Sequence, residues 1–307
     1  MQFLYFLESI RNPVLDAFFS LITYLGDETL FIAIAITVFW CVNKRTGYYL
    51  LTVGFFGTLL NQFLKLVCRV PRPWVRDPDF TIVESAREAA SGYSFPSGHT
   101  QSITGSMGCL ARVSKKTSTR AVCVLLIALT AFSRMYLGVH TPTDVGTSLV
   151  IGTVLVLGFY PLFERCQEKP ELMYTIVGVL TACSAAYVLF VELYHWPADI
   201  DAHNLGSGLK NGYTLLGCGL AMLLSCYVEQ KYINFDEKAA WQGQALKLIL
   251  GFAIVLGLKA GLKPVLESLL PALPARAVRY FLIVVFAACV WPLTFRHFAE
   301  IGKRRIE

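Results

Sequence analysis

Residues 133–144 read Ser-Arg-Met-Tyr-Leu-Gly-Val-His-Thr-Pro-Thr-Asp, and this stretch decides how the rest of the chain is interpreted. It places Arg134, His140 and Asp144 together at the mouth of a hydrophobic segment. Membrane hydrocarbon strongly disfavours ionisable side chains, so a group of three indicates a functional site. The stretch therefore predicts a polar site at the end of a membrane-spanning helix.

The composition of the whole chain is that of a membrane protein. Hydrophobic residues make up 55% of the 307 residues and charged residues only 16%, which is too apolar for an ordinary soluble domain. A helix crosses a hydrocarbon core of about 30 Å with roughly 20 apolar residues. We therefore predict an all-α, polytopic transmembrane helical bundle. Nine spans are predicted, near residues 27–43, 47–68, 98–113, 121–139, 143–163, 172–193, 211–228, 246–266 and 277–295. The third is short and rich in Ser and Gly, so we predict that it packs inside the bundle and does not face lipid.

The first 24 residues are apolar but include Glu8, Arg11 and Asp16. They lack the basic start and the small-residue cleavage site of a signal peptide. We predict an amphipathic helix that lies at the membrane interface, and an additional span is the alternative.

The distribution of basic residues predicts the orientation, because cytoplasmic loops carry an excess of Lys and Arg. Basic residues collect in loops that fall on one side of the predicted bundle: Lys44, Arg45, Arg112, Lys115, Lys116, Arg120, Arg165, Lys169, Lys231, Lys238 and the tail Lys303-Arg304-Arg305. This side, with the C-terminus, is predicted to be cytoplasmic, and the polar site faces outward. The net charge of +6 comes largely from these predicted cytoplasmic loops, whose basic residues orient the chain in the membrane. We therefore predict no nucleic-acid partner.

Cysteine and histidine positions indicate neither a disulfide framework nor a metal site. The nine cysteines are odd in number and lie mostly inside predicted spans, without close pairs. One outer loop contains His195, Asp199, Asp201 and His203, but their spacing matches no ligand motif, and a solvated loop explains them. We predict no metal and no cofactor.

Two further polar clusters lie at the same outer side. Lys65 is near the end of the second predicted span, and Arg72 follows just before Pro73. These cations are suited to bind phosphate, because Arg offers a planar fork and Lys a compact point charge. The alternative is that Lys65 reaches the interface along its own aliphatic stem.

The other cluster, Pro96-Ser97-Gly98-His99, precedes a helical stretch. Glycine lets a backbone approach an anion closely, and a helix start offers unpaired N–H groups. His99 would then be placed to donate a proton to a leaving oxygen. The alternative is a Pro-Gly turn that contains a histidine by chance.

The sharpest pair is His140 and Asp144. Thr141-Pro142-Thr143-Asp144 also reads as a helix start, with Thr141 as N-cap and Asp144 as a capping carboxylate. That reading does not explain His140. A histidine nucleophile needs one free ring nitrogen, and a carboxylate on the other nitrogen fixes the required tautomer.

The three clusters read Lys65-x6-Arg72-Pro73, Pro96-Ser97-Gly98-His99 and Ser133-Arg134-x5-His140-x3-Asp144. They resemble the signature motifs of the type 2 phosphatidic acid phosphatase superfamily, over roughly residues 45–165. The resemblance implies a helical bundle, catalysis without a metal and a phosphohistidine intermediate. It also implies that His140 is the nucleophile, that Asp144 orients it and that His99 is the general acid. The phosphoryl oxygens would be held by Lys65, Arg72, Ser97, Gly98 and Arg134.

With this resemblance we predict three parts of the chain. Residues 1–24 form the interfacial helix, and residues 25–165 form a phosphatase core of about five to six helices with all three motifs. Residues 166–307 add about four C-terminal spans.

The predicted function is removal of phosphate from a membrane lipid phosphate or pyrophosphate, at the outer face of a bacterial plasma membrane. Candidate substrates are polyprenyl pyrophosphate, phosphatidic acid, phosphatidylglycerol phosphate and a sphingoid-base phosphate. Gly26-Asp27-Glu28 is faintly similar to the sphingoid-base phosphate phosphatases, although it also suits an ordinary helix start. The alternatives are a phosphatase of soluble esters and a lipid-phosphate transporter or flippase that does not hydrolyse. The sequence does not predict the oligomeric state.

Overall fold

The computed structural model describes residues 1–301, and every regular element in that range is helical. The predicted cytoplasmic tail, Lys303-Arg304-Arg305, lies outside the described residues. The first helices are α1 (Gln2–Ser9), α2 (Pro13–Thr23), α3 (Glu28–Cys41), α4 (Lys44–Cys68), α5 (Pro73–Arg76), α6 (Gly98–Val113), α7 (Thr117–Tyr136) and α8 (Pro142–Arg165). They are followed by α9 (Glu171–Leu193), α10 (Ala202–Val228), α11 (Trp241–Leu269), α12 (Ala272–Val285) and α13 (Phe295–Glu300).

Seven helical segments of the described chain are long and apolar enough to cross a membrane. They are Lys44–Arg76, Thr117–Tyr136, Pro142–Arg165, Glu171–Leu193, Ala202–Ile233, Trp241–Leu269 and Ala272–Glu300. Pro13–Gly26 and Glu28–Cys41 meet at 48° and pass the same test as a pair, which raises the number to eight. The all-α, polytopic class is therefore confirmed, with fewer spans than the nine predicted.

The missing spans have a physical reason. Helix α6, predicted as a span over residues 98–113, has only 16 residues and is rich in Ser and Gly. Helix α3 has 14 residues, so it reaches membrane thickness only together with α2. Neither helix alone provides the roughly 20 apolar residues that a hydrocarbon core requires.

Helix α6 packs inside the protein, as its composition predicted. The Thr104 hydroxyl donates to the carbonyl of Thr100 at 2.7 Å, so a buried polar group is satisfied within the helix. Small residues let α8 approach closely: a Cβ at Gly152 would lie 2.6 Å from Thr104 Cγ2, and one at Gly108 would lie 3.0 Å from Val156 Cγ2. Such small-residue contacts are typical of helix packing in membranes.

The chain divides into two compact units. The first contains residues 1–35, 49–162 and 195–208, and the second contains residues 36–48, 163–194 and the described part of 209–307. All residues of the three polar clusters belong to the first unit.

The N-terminal residues form two short amphipathic helices, α1 and α2, in the first unit. Asn12 Oδ1 accepts hydrogen bonds from the backbone N–H groups that open α2, and Pro13 takes the first helical position. Large apolar side chains on the outer faces are exposed, such as Phe6 at 58% and Leu21 at 69%. These faces suit contact with lipid, either at the interface or as one arm of the bent pair with α3.

The charged residues of these two helices and of the turn between them face the protein. Arg11 Nη1 donates to the Thr81 carbonyl at 2.8 Å, and Glu8 accepts hydrogen bonds from the Thr81 N–H and hydroxyl. Asp16 Oδ1 accepts from the Tyr136 hydroxyl at 2.8 Å. The polar side therefore binds protein, and the apolar side is the outer one.

The second unit contains its own buried charges. Lys44 Nζ lies 2.8 Å from Glu229 Oε1, and Glu229 is only 1% exposed. Lys247, also 1% exposed, donates to the carbonyls of Trp40 and Glu237 at 2.8 and 3.0 Å. These contacts satisfy the buried charges locally, so they have an ordinary structural explanation.

Candidate active site

The predicted site residues lie at helix ends within the first unit. Lys65 is in the last turn of α4, Ser97 caps α6, Arg134 is in the last turn of α7, and Asp144 is in the first turn of α8. Six of the eight are buried, with exposures between 0% and 7%: Lys65, Arg72, Ser97, Arg134, His140 and Asp144. Gly98 and His99 are half-buried.

The turn after α7 explains the spacing between Arg134 and His140. Gly138 has φ of 81°, the left-handed conformation that favours glycine. Its N–H donates to the Met135 carbonyl, and the Val139 N–H donates to the Arg134 carbonyl, which is the Schellman pattern of a helix end. The His140 N–H then bonds the same Arg134 carbonyl at 3.2 Å. The five intervening residues thus bring His140 back to the end of the helix that holds Arg134.

The start of α8 confirms the capping interpretation. Asp144 Oδ2 accepts from the Thr141 N–H at 2.8 Å, and the Asp144 N–H donates to Thr141 Oγ1 at 3.3 Å. This reciprocal pair is a capping box. The carboxylate is therefore fixed by its own helix, independently of any role in catalysis.

Asp144 also faces His140. Its Oδ2 lies 3.5 Å from His140 Nδ1, slightly beyond a hydrogen bond, and Nδ1 has no other partner among the described residues. The same Oδ2 accepts from the Ser94 hydroxyl at 2.6 Å. Ser94 is fully buried, and its own N–H donates to the Val70 carbonyl. A buried serine therefore anchors the carboxylate that faces the histidine.

Arg72 contacts the other nitrogen of that histidine. Arg72 Nη1 lies 3.0 Å from His140 Nε2 and donates to the Val139 carbonyl at 2.9 Å. Its Nε and Nη2 donate to the carbonyls of Gly92 and Ser91 at 3.0 and 2.8 Å. A guanidinium has no acceptor, so the Nε2 atom that it contacts is unprotonated. The ring proton is then on Nδ1, the nitrogen that faces Asp144.

The electrostatic environment keeps His140 neutral. Burial lowers its pKa well below the usual range, and the nearby Arg72, Arg134, Lys65 and His99 lower the pKa further. Because the pKa is lowered, the imidazole loses its nucleophilic form only at a pH well below that of an ordinary histidine. The ring is therefore available as a base or nucleophile throughout the neutral range.

Arg134 differs from the other two cations in how its donors are used. Lys65 donates to the Tyr93 carbonyl, and Arg72 is held by carbonyls as described above. Arg134 Nη1 donates to the Thr23 hydroxyl at 2.5 Å, whereas its Nε and Nη2 have no partner in the described chain. The fully buried guanidinium therefore presents a free two-donor edge, the geometry that binds two phosphate oxygens.

The loop of the second motif is held on both sides. Asn61 Nδ2 donates to the Pro96 carbonyl at 3.3 Å, and the Ser148 hydroxyl donates to the Ser97 carbonyl at 2.9 Å. Ser97 Oγ accepts hydrogen bonds from Thr100, which caps α6. A Cβ at Gly98 would meet no atom closer than 3.9 Å. Packing alone therefore does not require glycine here, and the space beside it suits an anion at the helix start.

The structure thus brings all eight predicted residues into one unit, with direct contacts from His140 to Arg72 and Asp144. Sequence reasoning missed Ser94 and Thr23. Ser94 lies three residues before the recognised Ser97, and Thr23 lies more than a hundred residues from Arg134. Neither belongs to a motif or carries a charge, so no local signal distinguishes them from ordinary packing residues.

The anchoring of Asp144 is tested by Ser94→Ala. A hydrogen bond to a charged group contributes about 1.5–3 kcal/mol, so we expect kcat to fall roughly 10- to 100-fold. Phosphate release by the purified protein measures the change. Ser106→Ala is the matched control, since Ser106 is also buried but its hydroxyl donates to carbonyls of its own helix. Equal activity of the two variants would mean that Ser94 does not support the site.

Comparison with known families matches two segments of the chain. Residues 45–168 match the PAP2 superfamily, and residues 213–304 match the transmembrane extension of PAP2 superfamily phosphatases. The first segment contains every residue of the three motifs. The second covers most of the C-terminal region that the resemblance left unexplained.

Similar proteins are phosphatases from several organisms. Lipid phosphate phosphatase delta of Arabidopsis thaliana is 31% identical over 254 residues, which are 76% of this chain and 56% of that protein. Undecaprenyl-diphosphatase BcrC of Bacillus subtilis is 33% identical over 55% of this chain and 85% of that protein. The glucose-6-phosphatase catalytic subunit 1 of Felis catus is 24% identical over 80% of each chain. The chain thus spans little more than half the length of its plant relative.

No solved structure matches the chain. The family match and the bacterial relative, most of whose length is covered, nevertheless agree with the three motifs and their arrangement at the helix ends. The chain belongs to the PAP2 superfamily.

Proposed function

We propose that this protein is a phosphatase that hydrolyses a membrane lipid phosphate or pyrophosphate through a phosphohistidine intermediate. The observation that carries the proposal is the buried, neutral His140, with a cation on one ring nitrogen and a carboxylate facing the other. Such an imidazole is a nucleophile whose tautomer is set in advance. A site that only bound phosphate would need the cations but not this histidine.

Substrate binding would begin with the cations. Lys65, Arg72 and Arg134 all lie within electrostatic range of His99, and Asp144 offsets only one of their charges. A phosphate dianion therefore complements the site. The phosphate oxygens would accept hydrogen bonds from the free edge of Arg134 and would draw Arg72 away from His140. The nucleophilic Nε2 atom of His140 would then be exposed.

The first chemical step would form a bond from His140 Nε2 to phosphorus and break the bond from phosphorus to the leaving oxygen. Asp144 would stabilise the positive charge that develops on the imidazole, as a carboxylate does in a catalytic triad. Burial and the three cations lower the pKa of His99 to about 2 in the free site, so its proton would arrive with the phosphate, whose negative charge offsets those cations. His99 would then give this proton to the leaving oxygen and so release the alcohol, or the lipid monophosphate when the substrate is a pyrophosphate.

The second step would hydrolyse the phosphohistidine. His99, now unprotonated, would accept a proton from water as its oxygen attacks phosphorus. The P–N bond breaks, inorganic phosphate leaves and His140 is restored as a neutral ring. Both steps use only residues of this chain, and we expect activity to persist in EDTA.

The lipid nature of the substrate is supported by the membrane-spanning helices and by relatives named for lipid phosphates. A phosphorylated amphiphile can enter such a site sideways, with its tail between helices and its headgroup at the surface. The distribution of basic loops supports an outward-facing site and a cytoplasmic C-terminus in a bacterial plasma membrane. The likeness to a glucose-6-phosphatase catalytic subunit keeps a soluble ester as the second candidate.

The proposal is tested by a substrate panel with the purified protein. The panel contains polyprenyl pyrophosphate, phosphatidic acid, phosphatidylglycerol phosphate, sphingosine 1-phosphate and glucose 6-phosphate, with inorganic phosphate as the readout. We expect kcat/KM for at least one lipid to exceed that for glucose 6-phosphate by more than about 100-fold, because apolar tail contacts add about 0.8 kcal/mol per buried CH₂. A preference for glucose 6-phosphate would favour the soluble-ester reading, and transport into vesicles without phosphate release would favour a flippase.

A further inference from the structure

The N-terminal helix α2 supplies a contact to the candidate active site from outside the three motifs. Its last residue, Thr23, is 6% exposed, and its hydroxyl oxygen lies 2.5 Å from Arg134 Nη1. Thr23 also lies outside residues 45–168, the segment that matches the PAP2 superfamily. The residue that holds a motif arginine therefore comes from a part of the chain to which no function is assigned.

The contact decides which edge of Arg134 is available. A guanidinium has five N–H donors in one plane, and the Nε and Nη2 donors form one two-pronged edge. Thr23 accepts a hydrogen bond from Nη1, which lies in the same plane but outside that edge. The Nε–Nη2 edge is left without a protein partner in the described residues. A rotation that moved Nη1 away from Thr23 would also turn the free edge away from its present direction.

We propose that Thr23 is a positioning residue for phosphate binding, because its hydroxyl fixes the plane of the Arg134 guanidinium so that the Nε–Nη2 edge receives two phosphoryl oxygens. The inference rests on the proposed function, in which Arg134 binds the phosphoryl group. Thr23 itself touches neither the substrate nor His140. It acts through Arg134 alone.

A second contact supports the placement of this segment against the site. Gly26 lies three residues after the end of α2, and a Cβ at this position would lie 2.7 Å from the carbonyl oxygen of His99 and 2.9 Å from its Cβ. The third neighbour, Thr130 Cγ2, would also be 2.9 Å away. None of these atoms is the far end of a flexible side chain, so the glycine lets the segment pack directly on the backbone of the second motif.

The helix α2 and the turn before it also bind the third motif. Asp16 accepts from the Tyr136 hydroxyl, and Arg11 Nε donates to the Tyr136 carbonyl at 3.1 Å. Tyr136 is the last residue of α7 and lies two residues after Arg134. These bonds fix α2 relative to the end of α7, so Thr23 has little freedom to move away from the guanidinium.

The test compares Thr23→Val, which removes the acceptor and keeps the shape, with Thr23→Ser, which keeps the hydroxyl. We expect Thr23→Val to weaken the binding of orthovanadate, a mimic of the phosphoryl-transfer transition state, and to lower kcat/KM, each by roughly 10- to 30-fold. Thr23→Ser should stay within about 3-fold of the original protein. The matched control is Thr52→Val, because Thr52 is fully buried in the same unit and its hydroxyl has no partner there.

A double-mutant cycle with Arg134→Ala separates positioning from general destabilisation. If Thr23 acts through Arg134, adding Thr23→Val to Arg134→Ala causes no further loss of vanadate affinity. An equal loss in both backgrounds, or a Thr23→Val variant that matches Thr52→Val, would overturn the inference. If Thr23→Val does not yield folded protein, Thr23→Ala replaces it in the same comparison.

The vanadate measurement also distinguishes this inference from the proposed function. If the original protein releases phosphate from no member of the substrate panel, the proposed function fails. Calorimetric vanadate binding still reports whether Thr23 orients Arg134. If the original protein is active and Thr23→Val is indistinguishable from it, only the role of Thr23 fails.

Discussion

Replacement of His140 by alanine is expected to lower phosphate release by at least about 10,000-fold while the protein still folds. The reason is that removing a covalent nucleophile eliminates the reaction path, and comparable losses follow removal of nucleophiles in other hydrolases. The side chain is 2% exposed, and within the described residues only Arg72 hydrogen-bonds the ring directly. Phosphate release from the preferred member of the panel measures the effect, and thermal unfolding confirms that the variant is folded.

The control for this variant is His195→Ala, because His195 is an exposed histidine in the same unit. It should retain full activity. A rapid-quench experiment with a substrate labelled in its phosphate should trap acid-labile label on the original protein and none on the His140→Ala variant. Full turnover by His140→Ala would contradict the proposed mechanism.

Replacement of His99 by alanine is expected to have an effect that depends on the leaving group. General acid catalysis contributes about 10²- to 10⁴-fold, so release of phosphate from an alkyl lipid phosphate should fall by that factor. An aryl phosphate with a nitrophenol leaving group needs no proton to depart, and its rate should fall by less than about 10-fold. The half-buried position of His99 at the start of α6 is consistent with access to the leaving oxygen.

The role of His99 is decided by comparing how much the His99→Ala variant loses with the alkyl phosphate and with the aryl phosphate. A loss that is equal for alkyl and aryl phosphates would mean that His99 binds the phosphoryl group or supports the structure, and does not protonate the leaving oxygen. His203→Ala, at an exposed histidine of the same unit, should leave both rates unchanged.

The motif spacings predicted much of the site, because each spacing corresponds to a defined local structure. The five residues between Arg134 and His140 fit a Schellman turn, and the three between His140 and Asp144 fit a capping box. Local hydrogen bonds fix both arrangements, so sequence alone carries the information. Helix composition likewise predicted that α6 would be buried.

The tertiary partners of these residues could not be predicted in the same way. Thr23 and Ser94 are single hydroxyl side chains, and only the packing of α2 and of the loop before α6 places them beside Arg134 and Asp144. The charges at Glu8, Arg11 and Asp16 led us to predict an amphipathic helix at the membrane interface, and in the structure these charges bind the protein. An amphipathic pattern shows that a helix has two faces, and it does not show which neighbour each face meets.

Several predictions from the sequence still await experiment. They include the roles of the eight site residues, the independence from metal, the division at residues 24 and 165, and the orientation in the membrane.

The glycine turn after α7 also limits how this stretch can vary among related chains. Because Gly138 and the two hydrogen bonds to the Arg134 carbonyl set the distance back to His140, a change of length there would move the imidazole away from both Arg72 and Asp144 at once. A change of side chain at Leu137 or Val139 alters only packing. Insertions and deletions should therefore be far less tolerated between residues 134 and 140 than substitutions, even though the segment is formally a loop.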